Sequence, residues 1–261
     1  MKIIPLGTAG FIPTNGKESA SYLVIRNDTA ILLDAGTGVK RLFEPQIKDL
    51  LKGINDLHVI FSHLHHDHTA GVTWLLRLWS GRLYFYLPST PLVQFDGIEA
   101  IKKLTTAPFF ALNIDEWPNL GEIYTIVADY IDINGTIVHI IPQKHSGGSI
   151  GVRIGNFSYI TDTEARDEIK NFIINSELLF IDTMHDKEDY DKMNITEYKR
   201  AQHGYSLGNA NLALISDVKR MGLIHIDPLY DNERINNLLN ESQSIFDNSF
   251  IPKEVNIYEI I

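Results

Sequence analysis

The sequence predicts an α/β chain built in four layers, two β-sheets face to face with helices on both outer sides. Three observations carry that expectation. Short apolar runs rich in branched and aromatic residues, the mark of buried strands, alternate along the chain with stretches of helical apolar spacing. In both halves these strands end in histidine or aspartate. No internal repeat, low-complexity tract or linker separates the halves, so residues 1–261 read as one domain.

Residues 2–10 read as a strand followed by a glycine-rich turn, and 20–25 with 29–33 as a hairpin around Asn27-Asp28. The second strand of that hairpin ends in Asp34, before Gly36 and Gly38. An aspartate there is either a turn former or a group with chemistry to do. Residues 39–51 are helical in pattern. The apolar run 57–61 then opens into Ser62-His63-Leu64-His65-His66-Asp67-His68, and Val72, Leu75, Leu76 and Trp79 place a helix over 69–79. The cluster thus sits on a strand-to-helix turn. Neutral imidazole and ionised carboxylate suit a borderline divalent ion such as zinc. Without such a partner, polar groups crowded there would cost about 1–3 kcal/mol each when buried.

Residues 82–87 read as a strand, and 91–104 as a helix with Phe95, Ile98, Ile101 and Leu104 on one side. The aromatic connection 107–118 is either core or pocket lining. Strands follow at 123–127, 130–134 and 136–142, the last two joined by Asn134-Gly135, a strong hairpin signal. His139 lies mid-strand and reads as structural, whereas His145 stands just past the strand end, before Gly147-Gly148. The hairpin 150–154 and 157–161 ends at Asp162-Thr163-Glu164. A helix over 169–176 leads to a strand, 177–182, ending Asp182-Thr183-Met184-His185. Residues 186–191 read as an acidic, solvated loop. Then come His203-Gly204-Tyr205-Ser206, a helix at 209–220, a strand at 222–226 carrying His225 before Asp227-Pro228, a helix at 232–246 and a last strand at 255–261.

Composition bounds the partners. A hydrophobic share of 44% suffices for a sizeable core, and no apolar run of about 18 residues is present to span a membrane. The N-terminal residues lack the tripartite layout of a signal peptide, which makes the cytoplasm the default expectation. With no cysteine, only His, Asp and Glu remain as strong metal ligands. The net charge of −10 disfavours a long nucleic acid, whose grip rests on neutralising phosphates. The densest basic pairs, Lys102-Lys103 and Lys199-Arg200, both have helix-surface explanations.

His63-Leu64-His65-His66-Asp67-His68 resembles the HxHxDH signature of the metallo-β-lactamase superfamily. The resemblance implies the αββα metallo-β-lactamase sandwich and a fixed ligand order. His63, His65 and His145 would hold one cation, Asp67, His68 and His225 a second, and Asp162 would bridge them. Asp34 would lie beneath and orient the ligands. His66 occupies the variable position. Such a ligand count suits two divalent ions about 3.5–4 Å apart sharing an ionised water. Zinc is the first expectation, and manganese or iron accept the same ligands. Members with redox chemistry place a glutamate where His65 stands, which argues for a hydrolase.

Leu6-Gly7-Thr8-Ala9-Gly10, followed by Ile12-Pro13, looks like the opening of the RNase Z-like phosphodiesterase branch. In that branch a histidine precedes the last ligand by one helix and one strand, the place of His203 here. The resemblance therefore gives catalytic tasks to Asp67, which would handle a proton, and to His203, which would stabilise or protonate a departing alkoxide. Two departures matter. The basic arm that clamps tRNA in this branch has no room between His145 and Asp162. The acid that supports the histidine has no match before Asp162, where Tyr159-Ile160-Thr161 stand. The expected substrate is thus a small phosphodiester, a cyclic nucleotide or a short oligonucleotide. The alternatives are lactonase- or thioesterase-type carbonyl hydrolysis, tRNA 3′-processing, and a non-catalytic nucleotide-binding module. Dimers are common in the branch, so the resemblance allows a homodimer, and the sequence leaves the oligomeric state open. The sequence leaves open whether Glu164, His185, Asp227 or residues 107–118 reach the site.

Overall fold

The structure is a computed structural model that describes residues 1–193 and 202–261. The pair Lys199-Arg200 lies outside the described residues, while Lys102 and Lys103 face solvent on a helix, as their pattern predicts.

Strands β1 (Lys2–Gly7), β2 (Ser21–Arg26), β3 (Thr29–Leu33), β4 (Asp56–Ile60), β5 (Arg82–Pro88) and β6 (Leu120–Ile126) form the first sheet. Strands β7 (Tyr130–Ile133), β8 (Thr136–Gln143), β9 (Ser149–Ile154), β10 (Phe157–Ile160), β11 (Leu178–Asp182), β12 (Met221–Ile224) and β13 (Ser249–Phe250) form the second. The short β14 (Tyr258–Glu259) returns to pair antiparallel with β1. In the first sheet β3, β4, β5 and β6 run parallel, and in the second β10 to β13 do.

Alternation along the strands builds the layers. Ile3, Tyr22, Val24, Ile31 and Leu33 face Val138, Val152, Phe157, Tyr159 and Phe180 between the sheets. Their chain neighbours Ile4, Leu23 and Leu32 face outward, under α1 (Pro45–Leu50), α3 (Val72–Leu78) and α4 (Gly97–Leu104). On the far side, Leu179, Ile181 and Leu223 pack under α5 (Asp167–Ile173), α7 (Ser206–Ile215) and α8 (Asn232–Ile245). Three separate apolar clusters mean four layers, the metallo-β-lactamase architecture.

Several predicted elements shift for identifiable reasons. The single helix expected over 39–51 is a 3-10 helix, Thr37–Phe43, followed by α1, because Glu44 takes the extended backbone (ψ 142°) that a following proline imposes. The helix expected over 69–79 is split into α2 (His66–Thr69) and α3 at Gly71. A helix begins at Gly97, capped by the Asp96 side chain, and not at Pro91. Residues 186–191 are not a loop: α6 (Lys187–Met193) forms there without a single buried residue, held by pairs such as Lys187 with Asp191. Asn134 and Gly135 both have positive φ, as their hairpin requires.

This topology sends the C-terminal ends of β3, β4, β8, β10, β11 and β12 to one end of the sandwich. Every histidine and aspartate expected to ligate or to act in catalysis lies there or on the loops just beyond.

Candidate metal centre

Three strand ends are held in a conformation that non-glycine residues seldom adopt. Asp34, Asp162 and His225 have φ of 59°, 51° and 58°. Each follows a fully buried strand, and each turns its side chain inward at a local strain of about 1–3 kcal/mol. The N-terminal turn braces the third. Thr8 O accepts from His225 N at 2.9 Å, and a Cβ on Gly10 would come within 2.8 Å of His225 O. The glycine is thus explained by close packing on His225. Gly36 has a similar reason, since its Cβ would sit 2.2 Å from the backbone oxygen of Asp67.

Asp34 is completely buried and accepts four hydrogen bonds: from Ser62 N (2.7 Å), Ser62 Oγ (2.8 Å), Tyr159 OH (2.7 Å) and His68 Nδ1 (2.8 Å). With Nδ1 committed as donor, Nε2 is the nitrogen left for a cation; without one, although burial works against it, Asp162, Asp67 and Asp34 raise the pKa of His68 well above its ordinary value. That Nε2 is buried without a hydrogen-bond partner, as is His63 Nε2. Both point toward Asp162, at 3.1 Å and 3.8 Å.

The donors gather in two groups around Asp162. His63, His65 and His145 bring ring nitrogens within 4.8 Å of one another, and so do Asp67, His68 and His225 in their donor atoms. Asp162 Oδ1 is 3.6 Å from both His145 Nε2 and His225 Nε2, so it stands between the groups. Two donors bound tetrahedrally at about 2.0–2.1 Å from one ion lie roughly 3.3 Å apart. His145 Nε2 to His65 Nδ1 is 3.2 Å, His225 Nε2 to Asp67 Oδ2 3.1 Å and His68 Nε2 to Asp67 Oδ2 3.3 Å. Two partnerless buried nitrogens, on His63 and His68, together with histidine and carboxylate donors at ligand spacing, are a donor set that fits divalent cations.

Protonation follows position. Burial pushes His63 well below its ordinary value and His145 down to about 4, against the pull of Asp162, so both are neutral donors at pH 7. Burial opposes ionisation of Asp67 and Asp162 too, but the facing imidazoles hold both carboxyls far below their usual range. For His225, burial is outweighed by Asp162 and Asp67, which raise it to about 9. A divalent ion would take over that neutralising task.

His203 stands beside the two groups. Its ring stacks on His225 at 5.2 Å and packs edge-on to His145 at 5.2 Å. Its partner is a residue that sequence reasoning missed: Asp182, whose Oδ2 accepts from His203 Nδ1 at 2.7 Å. Asp182 is fully buried and also accepts from Thr163 N and Met184 N. The clue was present, because Asp182 ends an apolar strand as Asp34 and Asp162 do. The supporting acid comes from β11 and not from the residues before Asp162. Although burial works against it, Asp182 raises the pKa of His203.

These groups open on a cleft of about 640 Å³. His185 and Asp227 line it; Glu164 and residues 107–118 do not. In the aromatic connection Phe110 stacks on Trp117 while Phe109 is 78% exposed. His139 lines a separate surface groove. No helix among the described residues is long and apolar enough to cross a membrane.

Comparison with known proteins agrees with this geometry. The profile of the β-lactamase superfamily domain matches residues 29–226. A ribonuclease Z of Clostridium acetobutylicum is 26% identical, over 96% of this chain and 95% of that protein. Among solved structures, the metallo-β-lactamase fold protein YhfI of Bacillus subtilis superposes with a TM-score of 0.77 at 21% identity, over 98% of each chain. A diphosphatase of the PhnP family gives 0.69 at 16% identity, over 100% of this chain and 98% of that one.

Proposed function

Because the chain belongs to the β-lactamase superfamily, we propose that it is a hydrolase that takes two divalent cations, zinc foremost, and cleaves a small phosphodiester such as a cyclic nucleotide or a short oligonucleotide. The observation that carries this reading is His203, held by the buried Asp182 against the donor groups. Phosphodiester cleavage expels an alkoxide, and an imidazolium held in place by a carboxylate, whose charge raises its pKa, can give it a proton.

The cations, when bound, supply an ionised water and positive charge for the phosphoryl oxygens. The chain's own residues do the rest. His63, His65 and His145 would hold one cation and Asp67, His68 and His225 the other, with the Asp162 carboxylate between the two groups. Asp34 fixes His68 so that Nε2 points inward. Asp67 also stands where a proton can be taken up as the water attacks. Asp182 accepts from His203 Nδ1 and favours the imidazolium, in which Nε2 is the nitrogen that donates.

Three observations bear on substrate size. Among the described residues that line the cleft there is no lysine or arginine, the side chains that grip a long phosphate backbone. Between His145 and Asp162 the chain makes only the β9–β10 hairpin. The alignment with the ribonuclease Z spans 313 positions although this chain has 261 residues, so that relative carries several tens of residues without a counterpart here. Its near full-length coverage favours tRNA 3′-processing as the second reading.

The test is a panel on protein loaded with zinc or manganese: bis(p-nitrophenyl) phosphate, 2′,3′- and 3′,5′-cyclic nucleotides, a precursor tRNA, a thioester and a homoserine lactone. Turnover of the first two classes is the expected result. Activity confined to the thioester or lactone would overturn the phosphodiester reading, and efficient cleavage of the precursor tRNA alone would favour the second.

A further inference from the structure

The mouth of the cleft carries an aromatic side chain that does nothing for the fold. Phe11 belongs to none of the three apolar clusters and is 69% exposed. Its φ is 59°, a left-handed conformation rare for a bulky residue and free of strain for glycine. Such strain persists only where the surroundings enforce it, and it concentrates at functional sites. Here Phe11 N donates to Asp67 Oδ2 at 3.1 Å, and Gly10 N to Ile226 O at 3.4 Å. The backbone that carries the ring is therefore tied to a carboxylate of the donor set. Ile12, Met184, Pro228 and Leu229 give the same cleft further apolar lining, with Leu229 86% exposed.

On the phosphodiesterase reading, on which this rests, we propose that Phe11 is a stacking platform that selects phosphodiesters whose retained substituent is a flat aromatic ring, a nucleobase among them. His203 hangs from Asp182 while Phe11 hangs from Asp67, so the departing oxygen faces the imidazole and the retained group faces the phenyl ring. An exposed aromatic face accepts any planar ring without reading its edge.

The experiment compares kcat/KM for bis(p-nitrophenyl) phosphate and methyl p-nitrophenyl phosphate, which share charge and leaving group and differ only in the retained substituent. The wild type should prefer the diaryl ester. Phe11→Ala should shrink that preference by about 5- to 150-fold, the usual worth of one stacked ring, and Phe11→Trp should keep it. In metal-free protein, Phe11→Gly should melt no lower than wild type, because the strained φ is relieved at an exposed position. An unchanged preference in Phe11→Ala, with both esters still cleaved, overturns the platform and leaves the hydrolase reading standing. Loss of the preference in Phe11→Trp, or a Phe11→Gly protein melting several degrees lower, also overturns it. A metal-loaded wild type that cleaves neither ester overturns both.

Discussion

Asp182 Oδ2 lies 2.7 Å from His203 Nδ1, joining the end of β11 to a residue 21 positions further along the chain. If the pair works as one unit on the leaving group, Asp182→Asn and His203→Ala should behave alike. Each should lower kcat/KM by about 10²–10³ on a diester with an alkoxide leaving group, and far less with p-nitrophenolate, which needs no proton. The double variant should lose little more than either single one. Equal losses on both kinds of ester, or additive losses in the double variant, would mean that the pair merely supports the fold.

Tyr159 donates to Asp34 from the opposite sheet, across the core between the two sheets. Tyr159→Phe removes that donor and leaves the ring in place. We expect a loss of about 1–2 kcal/mol in chemical denaturation, the size of a hydrogen bond to a buried charge. The affinity for the cation that contacts His68 should weaken by about tenfold, since Asp34 would hold the ring less firmly. Calorimetric titration with zinc would read the second effect apart from the first.

Arg234 on α8 clasps Asp186 through Nε at 2.7 Å and Nη2 at 3.2 Å, and Asp189 through Nη2 at 2.6 Å. Burial alone would raise the pKa of Asp186, but hydrogen bonds from Arg234 and the backbone lower it. A carboxyl depressed in the folded state stabilises above its unfolded pKa of about 3.9, and that contribution is lost as pH falls through the folded value. Arg234 is partly exposed, so about 1–2 kcal/mol is at stake. Urea denaturation should show Asp186→Asn less stable than wild type at pH 7, with the gap closing below pH 3. A gap independent of pH would mean that the charge on Asp186 does not matter.

Chelation should destabilise the protein as well as silence it. A ligand that binds only the folded state stabilises it by about 2.7 kcal/mol at a hundred times its dissociation constant. Melting temperatures with and without EDTA should therefore differ by several degrees, and Asp162→Ala should abolish most of that difference. No change on chelation would contradict tight binding at the donor groups.

Where local physics dominates, the sequence was readable. The apolar run ending at His63, the Asn134-Gly135 turn and the strand-end positions of Asp34, His145 and Asp162 follow from periodicity and turn chemistry. What escaped depended on contacts between distant residues. Asp182 finds His203 only because the chain beyond β11 folds back across that strand's end, where His185 pairs with Tyr205. Helix α6 buries no residue and is anchored by charges, including Arg234 on α8, and by the stacking of Tyr190 on Tyr205, so it shows no apolar face. The strands β13 and β14, two residues each, owe their existence to neighbouring edges and not to any pattern of their own. Phe11 reads as one more apolar residue after a turn until its exposure and its tie to Asp67 are seen.

Anomalous diffraction from crystals grown with zinc or manganese tests the central claim most directly. Two peaks about 3.5–4 Å apart are expected, one contacted by His63, His65 and His145, the other by Asp67, His68 and His225, with Asp162 touching both. A single peak elsewhere, or none among these seven side chains at saturating metal, would contradict it.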